Sequence, residues 1–183
     1  MPTTKIFGRN IENQITFVGL ANAGKTTLLK RIKGDIHLDS LPTMGMNIET
    51  LKIEDLEVMA VDLGGQPSLQ TSLWEPFVSK SQGLVFVFDS ADQSKVKEAG
   101  DWLRKVIEWA PVDSAFLFLA NKLDLKEAMD LENVIQLLGL EEIMAVRPRT
   151  FAVYRCSALT GEGVDEPWKW LSNRFSAQMK RRG

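Results

Sequence analysis

Cysteine is nearly absent from this chain: Cys156 is the single example among 183 residues. An internal disulfide is therefore excluded, and the chain fits a reducing compartment. Histidine is as scarce. His37 lies in a polar stretch with no partner nearby in sequence, and it reads as a surface residue rather than a general base. A basic excess is also lacking. With 22 Lys and Arg against 24 Asp and Glu, the formal net charge is -2, which argues against a nucleic-acid partner. No apolar run approaches the roughly 20 residues needed to span a bilayer, and "MPTTKIFGRN" holds no apolar signal core. Pro2 stands where N-myristoylation requires glycine, and the terminal "KRRG" has no prenylation cysteine. Repeats, low-complexity linkers and shifts of composition are missing too, so nothing marks a second domain. The expected location is cytoplasmic.

What remains is an ordinary globular composition, 44% hydrophobic and 25% charged, in a chain long enough for one substantial core. Strands are expected at Gln14–Leu20, Asn47–Ile53, Glu57–Asp62, Leu84–Asp89, Ala115–Asn121 and Thr150–Cys156. "GLVFVFD" and "AFLFLAN" are continuously apolar, as parallel strands covered on both faces must be. Only "EDL" separates the second strand from the third, which predicts an antiparallel hairpin. Between strands the period changes. Val96, Ala99, Leu103, Val106 and Ala110 recur three or four apart, as do Val164, Trp168, Leu171, Phe175 and Met179. On these helices Trp168 and Trp170 read as packing residues. The expected fold is α/β: a doubly wound, six-stranded, mostly parallel sheet with one antiparallel hairpin strand and helices on both faces. Residues 14–179 form the domain, 1–13 an N-terminal extension and 180–183 a basic tail.

Ligands in such sheets bind beyond the carboxyl ends of the strands, and the motifs gather there. "GLANAGKTT" follows the first strand and opens the helix "KTTLLKRIK". Its G-x-x-x-x-G-K-T spacing lets the backbone of Asn22, Ala23, Gly24, Lys25, Thr26 and Thr27 turn N–H groups onto phosphate oxygens, helped by the helix dipole. Lys25 would reach the β- and γ-phosphates, and the Thr26 hydroxyl would ligate Mg²⁺. This loop alone does not choose between adenine and guanine.

The fifth strand ends in "LANKLDL". The Asp124 carboxylate can accept from guanine N1–H and the 2-amino group; adenine offers neither donor and would leave the carboxylate unpaired. Asn121 can hold the loop and approach the N7/O6 edge, and the Lys122 stem can lie over the ring. In "CSALTG" the Ala158 N–H could meet guanine O6, with Ser157 bracing the loop and Leu159 following. Cys156 reads as a small buried hydrophobe. The third strand ends in "VDLGGQ". Asp62 is placed to hold Mg²⁺ through a water, Gly65 to offer an N–H to the γ-phosphate, and Gln66 to orient an attacking water. In "LPTMGMN", Thr43 could ligate Mg²⁺ and sense the γ-phosphate. Two separate loops ordered by one phosphate make a switch.

Together these residues resemble the small GTPases, and within them the Arf/Arl branch. The likeness rests on "GLxxAGKTTLL", "PTMGMNIETL", "VDLGGQ", "LWEPFVSKSQGLVFVFDSAD" and "ANKLDL", and runs from about Gln14 to Phe175. It implies a P-loop GTPase domain that binds GTP and GDP with Mg²⁺ and recruits effectors in the GTP state, often at a membrane. It also implies an exchange factor and an activating protein, contacting Thr43–Asp62 and Gly64–Phe77. Between nucleotide states the hairpin from about Asn47 to Val61 would slide along the sheet. Gln66, Lys25 and Thr43 are the expected catalytic residues. The chain departs from the family in places. Ala21 replaces the common Asp of the phosphate loop. Met46, Ala60 and Phe77 stand where Arf proteins present aromatic rings to effectors, so a small Ala60 implies a different surface. Ile6, Phe7 and Ile11 give a thin apolar stripe where the family has an amphipathic helix, and peripheral membrane contact stays open. "HLDSLP" before Thr43 offers no arginine finger, whose loss costs roughly 10³–10⁵ in rate. Slow intrinsic hydrolysis in traffic-type switching is the leading reading. A GTP-binding scaffold that barely hydrolyses is the alternative, and an adenine-dependent kinase a third that Asn121 and Asp124 oppose.

Overall fold

The computed structural model describes the chain except at residues 1–4, 7–8, 11–12, 36–40, 42, 147–149 and 183. The expectations for Pro2, Phe7, Ile11, His37 and Pro42 lie outside the described residues.

The strands are β1 (Lys5–Ile6), β2 (Arg9–Asn10), β3 (Gln14–Val18), β4 (Met46–Ile53), β5 (Leu56–Leu63), β6 (Gly83–Asp89), β7 (Ala115–Asn121) and β8 (Phe151–Arg155). The helices are α1 (Lys25–Lys33), α2 (Pro67–Val78), α3 (Val96–Trp109), α4 (Leu131–Leu138), α5 (Leu140–Val146) and α6 (Asp165–Arg182), with a 3₁₀ turn at Gln93–Lys95. Strands β3 to β8 form one six-stranded sheet in the order β4-β5-β3-β6-β7-β8. Only β4 runs antiparallel, paired to β5 from Met46↔Leu63 to Ile53↔Leu56. The six strands and the hairpin fall where sequence places them, within a residue or two.

Alternation along each strand feeds two cores. On β6, Leu84, Phe86 and Phe88 join Trp74, Leu103 and Val106 of α2 and α3 on one face. Val85 and Val87 point the other way, to Leu28 and Leu29 of α1 and Leu171 and Phe175 of α6. β7 divides in the same manner, with Phe118 stacked on Phe86 at 5.7 Å between ring centroids. Burial on both faces is why these strands carry no polar alternation. Trp168 and Trp170 pack at the margin of the second core.

Two local outcomes differ from expectation, and the N-terminal segment takes a form of its own. Ala60 is fully buried. β5 has neighbours on both edges and helices over both faces, so Ala60 packs with Ile15 and Leu28 and presents nothing to a partner. Helix α6 continues through Arg182, so Lys180 and Arg181 belong to its last turns, not to a separate tail. At the N-terminus, Lys5–Ile6 and Arg9–Asn10 are extended and antiparallel to each other. No helix among the described residues is long and apolar enough to cross a membrane.

Candidate functional site

The parallel strands deliver four loops to one edge of the sheet, and a cleft of about 440 Å³ opens between them. Its floor is the turn between β3 and α1. Gly24, the residue before α1, has φ +96°. A Cβ there would stand 2.2 Å from Asn121 Nδ2, so space as well as backbone demands glycine. No side chain caps this helix and its first turn carries no acid, which leaves the helix N-terminus available to an anion. Lys25 is buried and donates to the Gly19 and Leu20 carbonyls at 2.8 and 2.9 Å. Burial lowers its pKa to about 8, partly opposed by the nearby Asp62 carboxylate. An incoming phosphate would supply the counter-charge that this lysine lacks.

Three oxygen-bearing side chains from three segments converge beside it. Thr26 donates to Asp62 Oδ2 at 2.5 Å and lies 2.9 Å from the Thr43 hydroxyl. Thr43 donates to the same Asp62 oxygen at 3.3 Å. Asp62 is fully buried, and its Oδ1 has no hydrogen-bond partner. Burial raises its pKa against the lowering effects of Thr26, Lys25 and Thr43. An unpartnered carboxylate oxygen beside two hydroxyls is a hard, all-oxygen donor set suited to Mg²⁺. Among the described residues no cluster of three His, Cys, Asp or Glu side chains competes as a metal site.

The segment after β5 closes the third wall. Ala21 N–H donates to the Gly65 carbonyl at 3.0 Å, and Gly64 N–H to the Gly45 carbonyl at 2.7 Å. Gln70 and the Trp74 indole hold the Gly65 and Gly64 carbonyls from behind, each at 3.0 Å. Gln66 lines the cleft, its Nε2 3.6 Å from Met44 Sδ. The loops bearing Thr43 and Gly65 thus touch the floor and one another.

The far end is built by β7 and β8. Asn121 is buried, donates to the Ala23 carbonyl at 2.8 Å, and accepts from Ala158 N–H at 2.9 Å. Ser157 donates to Asp124 Oδ1 at 2.5 Å. Lys122, at φ +70°, donates to Asp89 at 2.6 Å. Asn22, Thr27, Lys122, Asp124, Ala158 and Leu159 line the cleft. Ala23, Asp62 and Ser157 stand behind its wall and brace residues that do.

This geometry can be set beside known proteins. Residues 2–175 match the family model described as the ADP-ribosylation factor family. The chain belongs to that family. A solved relative is the Arl6 BBS3 small GTPase from Trypanosoma brucei, with the nucleotide analogue GppNp bound. It is 29% identical, with 91% of this chain and 98% of that one covered and a TM-score of 0.80. The mammalian SRP receptor, 24% identical, covers 88% of this chain and 100% of its own at TM-score 0.77, a likeness of fold alone. As an Arf-family protein the chain is a GTP-binding switch with the GTP hydrolase activity general to the family.

For this Arf-family chain the described motif residues lie at the cleft or directly behind its wall, with the Ala158 N–H spent on Asn121 rather than directed into the cleft. Sequence reasoning missed Leu41 and Leu125, which flank the cleft and are 89% and 42% exposed. Leu125 had a readable signal, an apolar residue directly after Asp124. Gln70, Trp74 and Arg31 had none, since each acts through backbone carbonyls of distant loops.

Proposed function

We propose that residues 14–179 form the switch domain, which binds GDP or GTP with Mg²⁺ and hydrolyses GTP slowly as a monomer. The observation that carries this reading is the convergence of Thr26, Thr43 and Asp62, with Gly65 laid against Ala21. Thr26 and Thr43 by their hydroxyls, and Asp62 by its unpartnered oxygen, would hold Mg²⁺. When bound, the ion neutralises charge on the β- and γ-phosphate oxygens. Lys25 does the same from the floor, its ammonium restored by the phosphate. Thr43 and Gly65 sense the γ-phosphate, and Gln66 orients the attacking water. Asn121, Lys122 and Asp124 take the guanine, with the loop from Ser157 to Leu159 behind it. No arginine lines the cleft among the described residues, which supports slow intrinsic turnover and a charge supplied by an activating protein.

The effector surface is the flank bearing Leu41, Met44 and Met46, which are 89%, 82% and 45% exposed, beside the open edge of β4. An exchange factor and effectors acting through Thr43–Asp62 and Gly64–Phe77 would read this flank, and traffic at a membrane is the family setting that it fits. Single-turnover hydrolysis of bound GTP tests the reading, with wild type beside Gln66→Leu and ATP as competitor during loading. Slow hydrolysis that falls at least tenfold in the variant, with ATP unable to compete, is expected. Equal rates would remove Gln66 from its role, and firm GTP binding without any hydrolysis would favour a scaffold.

A further inference from the structure

We propose that Arg31 is a positioning residue for guanine recognition, tying the phosphate-binding helix to the base-reading loop. The proposal rests on the reading of the cleft as a guanine-nucleotide site. Arg31 lies on α1, six residues after Lys25, so about 9 Å further along the same rigid helix. Its Nε donates to the Ala158 carbonyl at 3.2 Å, and its Nη2 donates to the Leu159 carbonyl. A guanidinium can hold two consecutive carbonyls at once because its donors form a planar fork; an ammonium cannot match that geometry.

Each of the two contacts leads to a base-reading side chain. Ala158 is held on both sides, its carbonyl accepting from Arg31 and its N–H donating to Asn121 Oδ1 at 2.9 Å. The peptide following Leu159 is planar, so fixing its carbonyl fixes the Thr160 N–H on the opposite edge. That N–H donates to Ser157 Oγ at 3.1 Å, and Ser157 Oγ donates to Asp124 at 2.5 Å. Arg31 therefore stands at the root of two hydrogen-bond chains, one ending on Asn121 and one on Asp124. Both start from the helix whose first turn carries Lys25 and Thr26. Phosphate end and base end are thereby held in one frame, and the Asp124 carboxylate keeps the orientation that separates guanine from adenine. Ala158 is buried, so a lost donor leaves its carbonyl without easy recourse to water.

The test is competition binding of GDP and ADP to the full chain, for wild type, Arg31→Met and Arg31→Lys. Arg31→Met keeps the stem and removes the donors. It is expected to weaken GDP about tenfold while leaving ADP unchanged, so that guanine preference shrinks by the same factor. Arg31→Lys, which can reach one carbonyl, is expected to restore part of that preference, and carries the test if Arg31→Met fails to fold. Equal losses for GDP and ADP would make Arg31 a general support of the fold and overturn the proposal, as would unchanged GDP binding. A wild type that does not prefer GDP over ADP would instead overturn the reading of the cleft itself.

Discussion

Replacing Gly65 with alanine tests whether the loop after β5 must lie flush on the phosphate-binding turn. A Cβ on Gly65 would sit 2.3 Å from Ala21 N, 2.3 Å from Leu20 C and 2.5 Å from Gly19 O. All three atoms are backbone of the turn between β3 and α1, so no flexible side chain can yield. Ordinary contact would require the two segments to separate by more than 1 Å, which breaks the 3.0 Å bond from Ala21 N–H to the Gly65 carbonyl. Overpacking of this kind costs about 1–3 kcal/mol, and a lost hydrogen bond about 1 kcal/mol. The closed arrangement should therefore be disfavoured by about 2–4 kcal/mol, or roughly 30- to 1000-fold. On the proposed reading only a γ-phosphate calls on Gly65, so the loss should fall on GTP and spare GDP. Competition of GDP and a non-hydrolysable GTP analogue against a fluorescent guanine nucleotide measures the ratio directly. The GTP-to-GDP affinity ratio is expected to fall at least 30-fold in Gly65→Ala. An unchanged ratio would refute the argument that this close approach belongs to the GTP state.

Other consequences are accessible to simpler measurements. Lys25 titrates at about 8 in the folded chain against an ordinary 10.5, so between those values the unfolded chain holds a proton that the native site has shed. Stability of the nucleotide-free protein should rise with pH from 8 upward, by up to about 1.4 kcal/mol per pH unit. Urea midpoints at pH 7 to 9.5 should show this rise in wild type and not in Lys25→Met. Asn121→Ala removes a donor to Ala23 and an acceptor from Ala158. It should cost about 2–4 kcal/mol and roughly 4–16 °C in Tm by calorimetry; a shift below about 2 °C would contradict the bracing role. Burial pushes the Cys156 thiol up to about 12. Alkylation at pH 8 should be on the order of a hundredfold slower in the folded chain than in urea.

Much of this molecule is legible from its residues because the chemistry is local. The turn from Gly19 to Thr27 carries its glycines, lysine and hydroxyls within one loop, and the strand before it and helix after it declare themselves by apolar period. Asn121 to Asp124 and Ser157 to Leu159 are equally compact. Their assembly follows from parallel strands that all end at one edge. What escaped lies in contacts that leave no local pattern. Arg31 reaches residues more than 120 positions away, and it meets backbone carbonyls, which any residue could present. Trp74 looks like core and is core, yet its indole also fixes Gly64. Family likeness puts Ala60 at an effector surface, but β5 is covered on both faces: Met59 and Val61 enter one core and Val58 and Ala60 the other. The last turns of α6 read as a tail in sequence because Lys180, Arg181 and Arg182 bring no apolar residue to extend its stripe.

The central proposal is that a γ-phosphate holds Thr43 and Gly65 in the arrangement described above, against Thr26 and Ala21. Amide hydrogen exchange at Gly45, Gly64, Gly65 and Gln66, in the GDP-loaded chain and with a GTP analogue bound, tests it most directly. The account predicts at least tenfold slower exchange at these amides with the analogue, while β6 and β7 stay unchanged. Equal exchange in the two states would contradict it.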